Sequence, residues 1–184
     1  MDFHLHNPDF SISPLQPHHI PALQRLCEQC ADYTWIVEGE EVSPSAARDL
    51  FEAAPPGRSL DDKLLYGVFD RSGGLVGVLD AFRRYPDDAT CPDGAARAWW
   101  IGLLMLAPGV RGRGLGREIV EAFAAFVRSQ GGASVDLGVV EDNAPAYEFW
   151  QRLGFELVRR TEPRPFGKKM QQVSVMRRRI NETG

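Results

Sequence analysis

Cysteine is scarce in this chain, with three residues in 184. An odd, low count excludes a disulfide-stapled scaffold. A lone Cys27-x-x-Cys30, without a second ligand pair, does not make a zinc site. The four histidines, His4, His6, His18 and His19, stand near the N-terminus without carboxylates at ligand spacing. They read as surface residues, and no metal is expected. Nowhere does the chain approach the roughly 20 consecutive apolar residues that span a bilayer. The opening residues have neither the basic nor the apolar region of a secretory leader. A membrane partner is therefore not expected, and a cytoplasmic protein with reduced thiols is. Positive charge is not in excess either: 21 Lys and Arg stand against 25 Asp and Glu, a net charge of −4. Nucleic-acid binding normally uses a basic footprint, so nucleic acid is not expected as a partner.

What is present is an ordinary globular composition, 43% hydrophobic and 25% charged. A chain of this length suits a single domain over residues 1–184, large enough to bury a core without staples. The alternation of "FSISPL" around Phe10 and Ile12 predicts an edge strand. Ile20, Leu23, Leu26, Cys27 and Cys30 fall at helical spacing and predict one helix over 17–33, with Gly39 ending the segment that follows. Ser43 and Pro44 open a second, short helix that Pro55-Pro56-Gly57 stops. From Lys63 the period changes. "KLLYGVFD" and "GLVGVLDAFRRY" predict two strands joined by the turn "RSGG". After a loop over 86–95, the apolar run "ARAWWIGLLMLAP" predicts a central buried strand.

Leu115, Ile119, Ala122, Phe123, Phe126 and Val127 share one face of a strongly amphipathic helix, ended by Gly131-Gly132. "ASVDLGVV" predicts a strand, "APAYEFWQRL" a helix capped by Asn143, and "FELVRRTE" and "QQVSVMRR" two last strands. The triple arginine 177–179 reads as a solvated strand end. The order implies an α/β fold. Its mixed, mostly antiparallel central sheet has about seven strands, with helices on both faces.

Between the central strand and the amphipathic helix lies "VRGRGLGREIV". A glycine-rich turn at a helix start exposes backbone N–H groups, and the macrodipole adds about half a positive charge there. Gly112, Gly114 and Gly116 let a ligand approach the backbone, and Arg111, Arg113 and Arg117 add charge at the rim. A diphosphate-bearing ligand suits this design. The nucleotide motifs do not fit: no lysine completes a P-loop, and a dinucleotide fingerprint counted from Gly112 needs glycine where Arg117 stands.

Arg-Gly-x-Gly-x-Gly after a buried strand, in "LLMLAPGVRGRGLG", resembles the acyl-CoA pyrophosphate loop of the GNAT superfamily of N-acyltransferases. Downstream, "NAPAYEFWQRLGF" resembles that family's Asn-x-x-Ala-x-x-Phe-Tyr-x-x-Leu-Gly-Phe block. The resemblance covers roughly residues 63–178 and implies a GNAT-like sheet splayed at the two strands flanking the main helix. It implies acetyl-CoA as acyl donor. The pantetheine arm would run along Leu104 and Leu106. The loop amides from Arg111 through Gly112, Arg113, Gly114, Leu115 and Gly116 to Arg117 would hold the pyrophosphate. Asn143 would touch the cofactor arm, and Ala146 and Trp150 would line the thioester end. Many members have tyrosine, the acid for the departing thiolate, where this chain has Trp150. An indole supplies no useful proton, which leaves Tyr147 as the nearest substitute.

A lysine-like amine is neutral in about one molecule in two thousand at pH 7, at a cost of about 4 to 5 kcal/mol unless a base helps. Glu38, with Glu40 and Glu41, lies in the segment that borders the acceptor in this family, and Asp80 lies on the third strand. Trp35 and one of Trp99 and Trp100 are candidate pocket walls, because neighbours on a strand face opposite sides. The expected activity is acetyl transfer to a primary amine of a small molecule or peptide, by direct attack. The alternative is a non-catalytic acyl-CoA-binding or sensor domain of the same fold. A homodimer is compatible with such folds, and no residue pattern specifies one.

Overall fold

The computed structural model describes residues 5, 7–54, 59–83 and 98–180. His4, His6, the Pro55-Pro56-Gly57 stop and the expected loop over 86–95, with Cys91, lie outside the described residues. The chain runs β1 (Phe10–Pro14), α1 (Ile20–Gln29), α2 (Ala31–Glu38), α3 (Ala46–Glu52), β2 (Lys63–Asp70), β3 (Leu75–Phe82) and β4 (Ala98–Leu106). It continues through α4 (Leu115–Ser129), β5 (Ser134–Val140), α5 (Ala144–Arg152) and β6 (Glu156–Arg160). β7 (Arg164–Phe166), β8 (Lys169–Gln171) and β9 (Val173–Arg179) complete it.

Seven strands form one sheet in the order β1-β2-β3-β4-β5-β9-β6, and only the β4–β5 pair is parallel. The predicted mixed sheet is therefore observed. Each face carries its own core. On one, α4 inserts Ile119, Phe123 and Val127 against Val68, Leu79 and Leu137. Trp99 stands edge-on to Phe123 and Phe126, with ring centroids 6.0 and 5.4 Å apart. On the other face, Leu23, Leu26 and Cys30 of the α1 region pack with Ala47 of α3 on Val78 and Met105.

Three local expectations are corrected. The first helix does not run to Tyr33: Cys30 leaves the helical region with ψ of 29°, and α2 continues from Ala31 to Glu38 before Gly39 ends it in the left-handed region. No glycine or proline marks the break. At the break Cys30 is fully buried and its thiol donates to Leu106 O at 3.3 Å, so tertiary packing decides it. The short helix starts after Ser45 rather than at Ser43 and Pro44. Between β6 and β9 lies a separate two-stranded hairpin, β7–β8, which strand periodicity did not reveal.

The arginine run at the end of β9 is not simply solvated. Arg177 pairs with buried Asp136 at 2.7 Å, and Arg178 pairs with Glu121 of α4 at 2.8 Å. A second buried pair joins Lys63 to Asp80 at 3.5 Å, while the Lys63 ammonium donates to Leu50 O and Ala53 O at the C-terminal end of α3. A cation there satisfies carbonyls that the helix leaves open.

Asp80 is 6% exposed, and its Oδ1 has no partner among the described residues. Burial pushes its carboxyl from 3.8 up to about 7 against the opposing pull of Lys63, and the same burial lowers Lys63. The folded state thus holds the Asp80 proton more tightly than the unfolded chain does, so this group's stability is lost as pH rises from about 4 to about 7. We predict that Asp80→Asn removes this dependence. The variant's melting temperature, relative to wild type, rises between about pH 5 and about pH 8. Thermal melts across that range check it, and a difference that does not change with pH contradicts it.

Candidate active site

The site begins where two strands stop pairing. β4 and β5 are in register from Ala98↔Ser134 to Ile101↔Leu137, and not beyond. At this point β4 slips against β3, with Ala81 opposite Ile101 and Asp80 opposite Leu103, so Gly102 is an extra residue. Such a bulge bends the strand that carries it. Past the bulge the two strands diverge around a cleft of about 260 Å³. Asn143, Ala146 and Trp150 of the α5 region line one side. Tyr33 and Val37 of α2, with Arg164 and Phe166 of the hairpin, line the other. The expected splay is therefore present.

Strand geometry leaves backbone polar groups open along this gap. Ala107 donates to Val76 O of the β3 edge at 2.8 Å. Since successive residues of a strand point their N–H and C=O to opposite edges, Leu104 and Leu106 turn theirs toward the cleft. They are not equivalent. Leu106 O already accepts from Arg111 Nε at 2.7 Å and from Cys30 Sγ at 3.3 Å. Leu104 lines the cleft and faces the side where β5 no longer pairs.

The open edge of β4 leads into the glycine–arginine loop. A 3-10 turn over Pro108–Val110 precedes it. Gly112 and Gly114 have φ of 74° and 86°, in the left-handed region, and a Cβ on either would meet nothing within 4 Å. Gly114 caps α4, and no side chain accepts from the first-turn amides. Those of Leu115, Gly116 and Arg117 have no partner one turn back and present positive dipole ends. Leu115 itself is buried in the core. The third glycine differs in kind: a Cβ on Gly116 would lie 3.2 Å from Phe149 Cζ, so this glycine lets α5 approach α4.

The three arginines also divide. Arg113 and Arg117 are exposed on the loop. Arg111 instead turns back and clamps Asp32 of α2 in a two-pronged bond, 2.5 and 3.1 Å long. That guanidinium holds the Asp32 carboxyl below the usual carboxylate range. Its own charge is matched.

Asn143 caps α5, accepting from Ala146 N–H at 3.2 Å. Trp150 lines the cleft while its ring stands edge-on to Phe149 and Phe155, at 5.0 and 5.1 Å. The expected catalytic pair is not brought together. Tyr147 packs against the α4-side core and does not line the cleft. Glu38 is the exposed last residue of α2, not a loop residue, and its carbonyl accepts from Lys168 N–H at 2.8 Å. Glu40, Glu41 and the 61%-exposed Trp35 border a different groove. Of the two adjacent tryptophans, Trp100 lines the cleft and Trp99 is core, as strand alternation requires.

Sequence reasoning missed Tyr33, Arg164 and Phe166. Tyr33 and Val37 are four apart and share a helical face, a signal visible only once α2 is known to be helical. Burial, with Glu38 nearby, raises the Tyr33 phenol above its ordinary value. Arg164 and Phe166 sit on a three-residue strand, too short to show a period. The hairpin carrying them is bolted down. Lys169 Nζ donates to Ile36 O at 2.9 Å and Asp142 Oδ2 at 3.0 Å, and Gln171 donates to Ile36 O at 2.9 Å.

Structural likeness gives the class first. An acetyltransferase from Thermus thermophilus superposes with a TM-score of 0.71 at 24% identity, over 96% of this chain and 99% of that one. A spermidine N-acetyltransferase from Vibrio cholerae, in complex with CoA and spermine, superposes with a TM-score of 0.69 at 15% identity, over 94% and 96% of the two chains. At these identities the likeness is one of fold. Sequence then gives the family: the chain belongs to the acetyltransferase (GNAT) family, whose model matches residues 16–155. Mycothiol acetyltransferase of Corynebacterium jeikeium (strain K411) is 38% identical over 99 residues, which are 50% of this chain and 29% of that protein. The chain thus spans less than a third of that relative's length.

The two left-handed glycines yield a prediction free of packing effects. Gly112→Ala and Gly114→Ala each destabilise the fold by about 1 kcal/mol, from backbone strain alone. Urea unfolding measures this, and an unchanged midpoint in both variants contradicts the loop geometry.

Proposed function

We propose that the chain is an N-acetyltransferase that moves an acetyl group from acetyl-CoA to a primary amine of a small molecule or peptide. Residues 1–184 work as one domain, in the cytoplasm, where the unbridged thiols Cys27 and Cys30 stay reduced. The observation that carries this reading is the open β4 edge leading to a glycine-rich start of α4 whose cap, Gly114, brings no side-chain acceptor. A carrier with an amide-bearing arm and a diphosphate fits both features at once. The empty space over Gly112 and Gly114 is consistent with a phosphate against the backbone.

In this reading the Leu104 backbone pairs with the pantetheine arm, and Leu106 anchors the loop through Arg111. The amides from Gly112 to Arg117 take the pyrophosphate, with Arg113 and Arg117 supplying full charges. Arg111 orders the loop instead of touching phosphate. Asn143 faces the arm while capping α5, and Ala146 and Trp150 border the thioester end. Bound acetyl-CoA supplies an acetyl thioester, which the acceptor amine attacks directly. Tyr33 is the one phenol lining the cleft among the described residues. A phenol is protonated at neutral pH, so Tyr33 has a proton to lend the departing thiolate, and the attacking nitrogen sheds one in exchange. Glu38 does not line the cleft and takes no part in this step. Tyr147 supports α5 by packing. No carboxylate lines the cleft among the described residues. Desolvation in the cleft disfavours the ammonium form, so the site draws on the neutral fraction of the acceptor amine.

One observation favours the alternative of a non-catalytic acyl-CoA-binding domain: Trp150 stands at the position the family usually gives to tyrosine. A thiol-release assay with acetyl-CoA and an amine panel separates the two, and tight binding without turnover on any amine selects the alternative. Gly114→Glu sets a carboxylate against the phosphates. It abolishes acetyl-CoA binding in calorimetry while the protein stays folded, and unchanged affinity would remove coenzyme A from the loop. Tyr33→Phe lowers kcat by roughly ten- to a hundredfold, the low end for acid catalysis, because a thiol of pKa about 8.5 leaves tolerably alone. An unchanged kcat returns the role to water.

A further inference from the structure

The cleft has a charge peculiarity. Among the described residues lining it, Arg164 is the single one with a formal charge. The other side chains on its half, including Tyr33, Val37, Trp100 and Phe166, are neutral. Of its basic neighbours on the same stretch of chain, Lys169 is matched by Asp142 at 3.0 Å and Arg160 by Glu141 at 3.3 Å. Arg164 makes no ion pair with a described carboxylate; its guanidinium lies over the Phe166 ring, 4.9 Å from the centroid. A stacked guanidinium is held in place with its donors still free, ready for a planar or tetrahedral anion.

Position separates this cation from the loop at the start of α4. Val37 and Val173 form a small apolar cluster with Val140, which Tyr33 and Phe166 join. Trp150 and Leu104 belong to the α4-side core instead. The cleft therefore passes through the gap in the sheet. The donor half adjoins α4 and α5, and the half holding Arg164 adjoins α2 and the hairpin. A polycationic amine would bring a second ammonium to walls that offer it a cation and no acid. An acceptor with an acidic group would meet its complement there.

We propose that the acceptor is a small amine that also carries an anionic group, a carboxylate or phosphonate, and that Arg164 binds that group and selects for it. The inference rests on the acetyltransferase reading given above. The chemistry required is an amine and an acid within one small molecule, as in an amino acid. Arg164 is a specificity residue: it grips the end of the acceptor remote from the attacking nitrogen, fixing the amine toward the β4–β5 gap. Phe166 supplies the platform on which the guanidinium is oriented.

The test uses the full chain, acetyl-CoA, the common amino acids and aminomethylphosphonate. Each acid is paired with the amine that lacks its acidic group, and spermidine serves as the polycation. The expected result is a kcat/KM for the best acid-bearing amine ten- to a hundredfold above that of its partner, the range of one charge-assisted contact. Carboxylate and phosphonate members identify which anion is taken. Arg164→Gln raises the acceptor KM by a similar factor and erases the preference, while the KM for acetyl-CoA and the melting temperature stay put. Arg164→Lys restores part of the preference, because charge returns without the fork. Preference for the decarboxylated amines or for spermidine overturns the proposal, as does an Arg164→Gln effect confined to acetyl-CoA. Calorimetric titration of the CoA-loaded protein with the same acids reads the site without turnover. Binding lost in Arg164→Gln supports the proposal even if no acetylation occurs, an outcome that sinks only the enzymatic reading. No binding of any acid, together with no acid-dependent turnover, overturns it.

Discussion

Everything at the site depends on a hydrogen-bond ladder that stops early. β4 and β5 lie side by side from Ala98↔Ser134 to Ile101↔Leu137 and then separate. A sheet interior normally leaves no backbone group without a partner, because each buried orphan costs free energy. Here the extra residue at Gly102 turns β4 aside, and the cost is accepted over a few residues. The opened edge becomes a strand in want of a neighbour, which an extended amide-bearing molecule can supply. The cleft, the approach to the α4 loop and the passage through the sheet all follow from that one termination.

Ion pairs hold the surroundings of this gap in shape. Arg111 ties α2 to the end of β4, bonding Asp32 on one side and Leu106 O on the other. Lys169 and Gln171 tie the hairpin to the carbonyls at the end of α2. On the far edge, Arg177 and Asp136 lock β9 to β5. Of these, the Arg177–Asp136 pair is the buried one, and removing one partner of a buried pair is worse than never having the pair. Their placement around the gap, where ladder bonds are missing, gives them a positioning role that isolated surface pairs lack.

The central architecture was readable from the residues because its signals are periodic and local. The seven strands, the amphipathic face of α4 and the Asn143 cap each announce themselves within a dozen positions. The loop was readable because left-handed backbone demands glycine, at Gly112 and Gly114. What escaped the sequence is non-local. The break at Cys30 carries no helix-stopping residue and answers to burial on Met105 and Ala107. The hairpin strands span three residues each, below the length at which alternation can be seen. Tyr33 and Arg164 are 131 positions apart in the numbering yet line one cleft, a meeting that only the folded chain creates. The fate of Arg111 was equally hidden: three arginines in one loop look alike until Asp32 claims one of them.

The two halves of the passage differ in what they are made of. The half proposed for the donor is cut from the main core, where Trp150, Leu104 and Leu115 are packed among the α4 and α5 side chains. Changes there disturb the fold itself. The half proposed for the acceptor rests on α2 and on an eight-residue ribbon outside the main sheet. That ribbon is held by contacts from Lys168, Lys169 and Gln171 and by Phe166 packing on the Val37–Val140–Val173 cluster, not by Arg164. Arg164 can thus change while the fastening stays intact. Under the proposed function, this layout lets a few ribbon side chains retune acceptor choice apart from the core that would hold the donor.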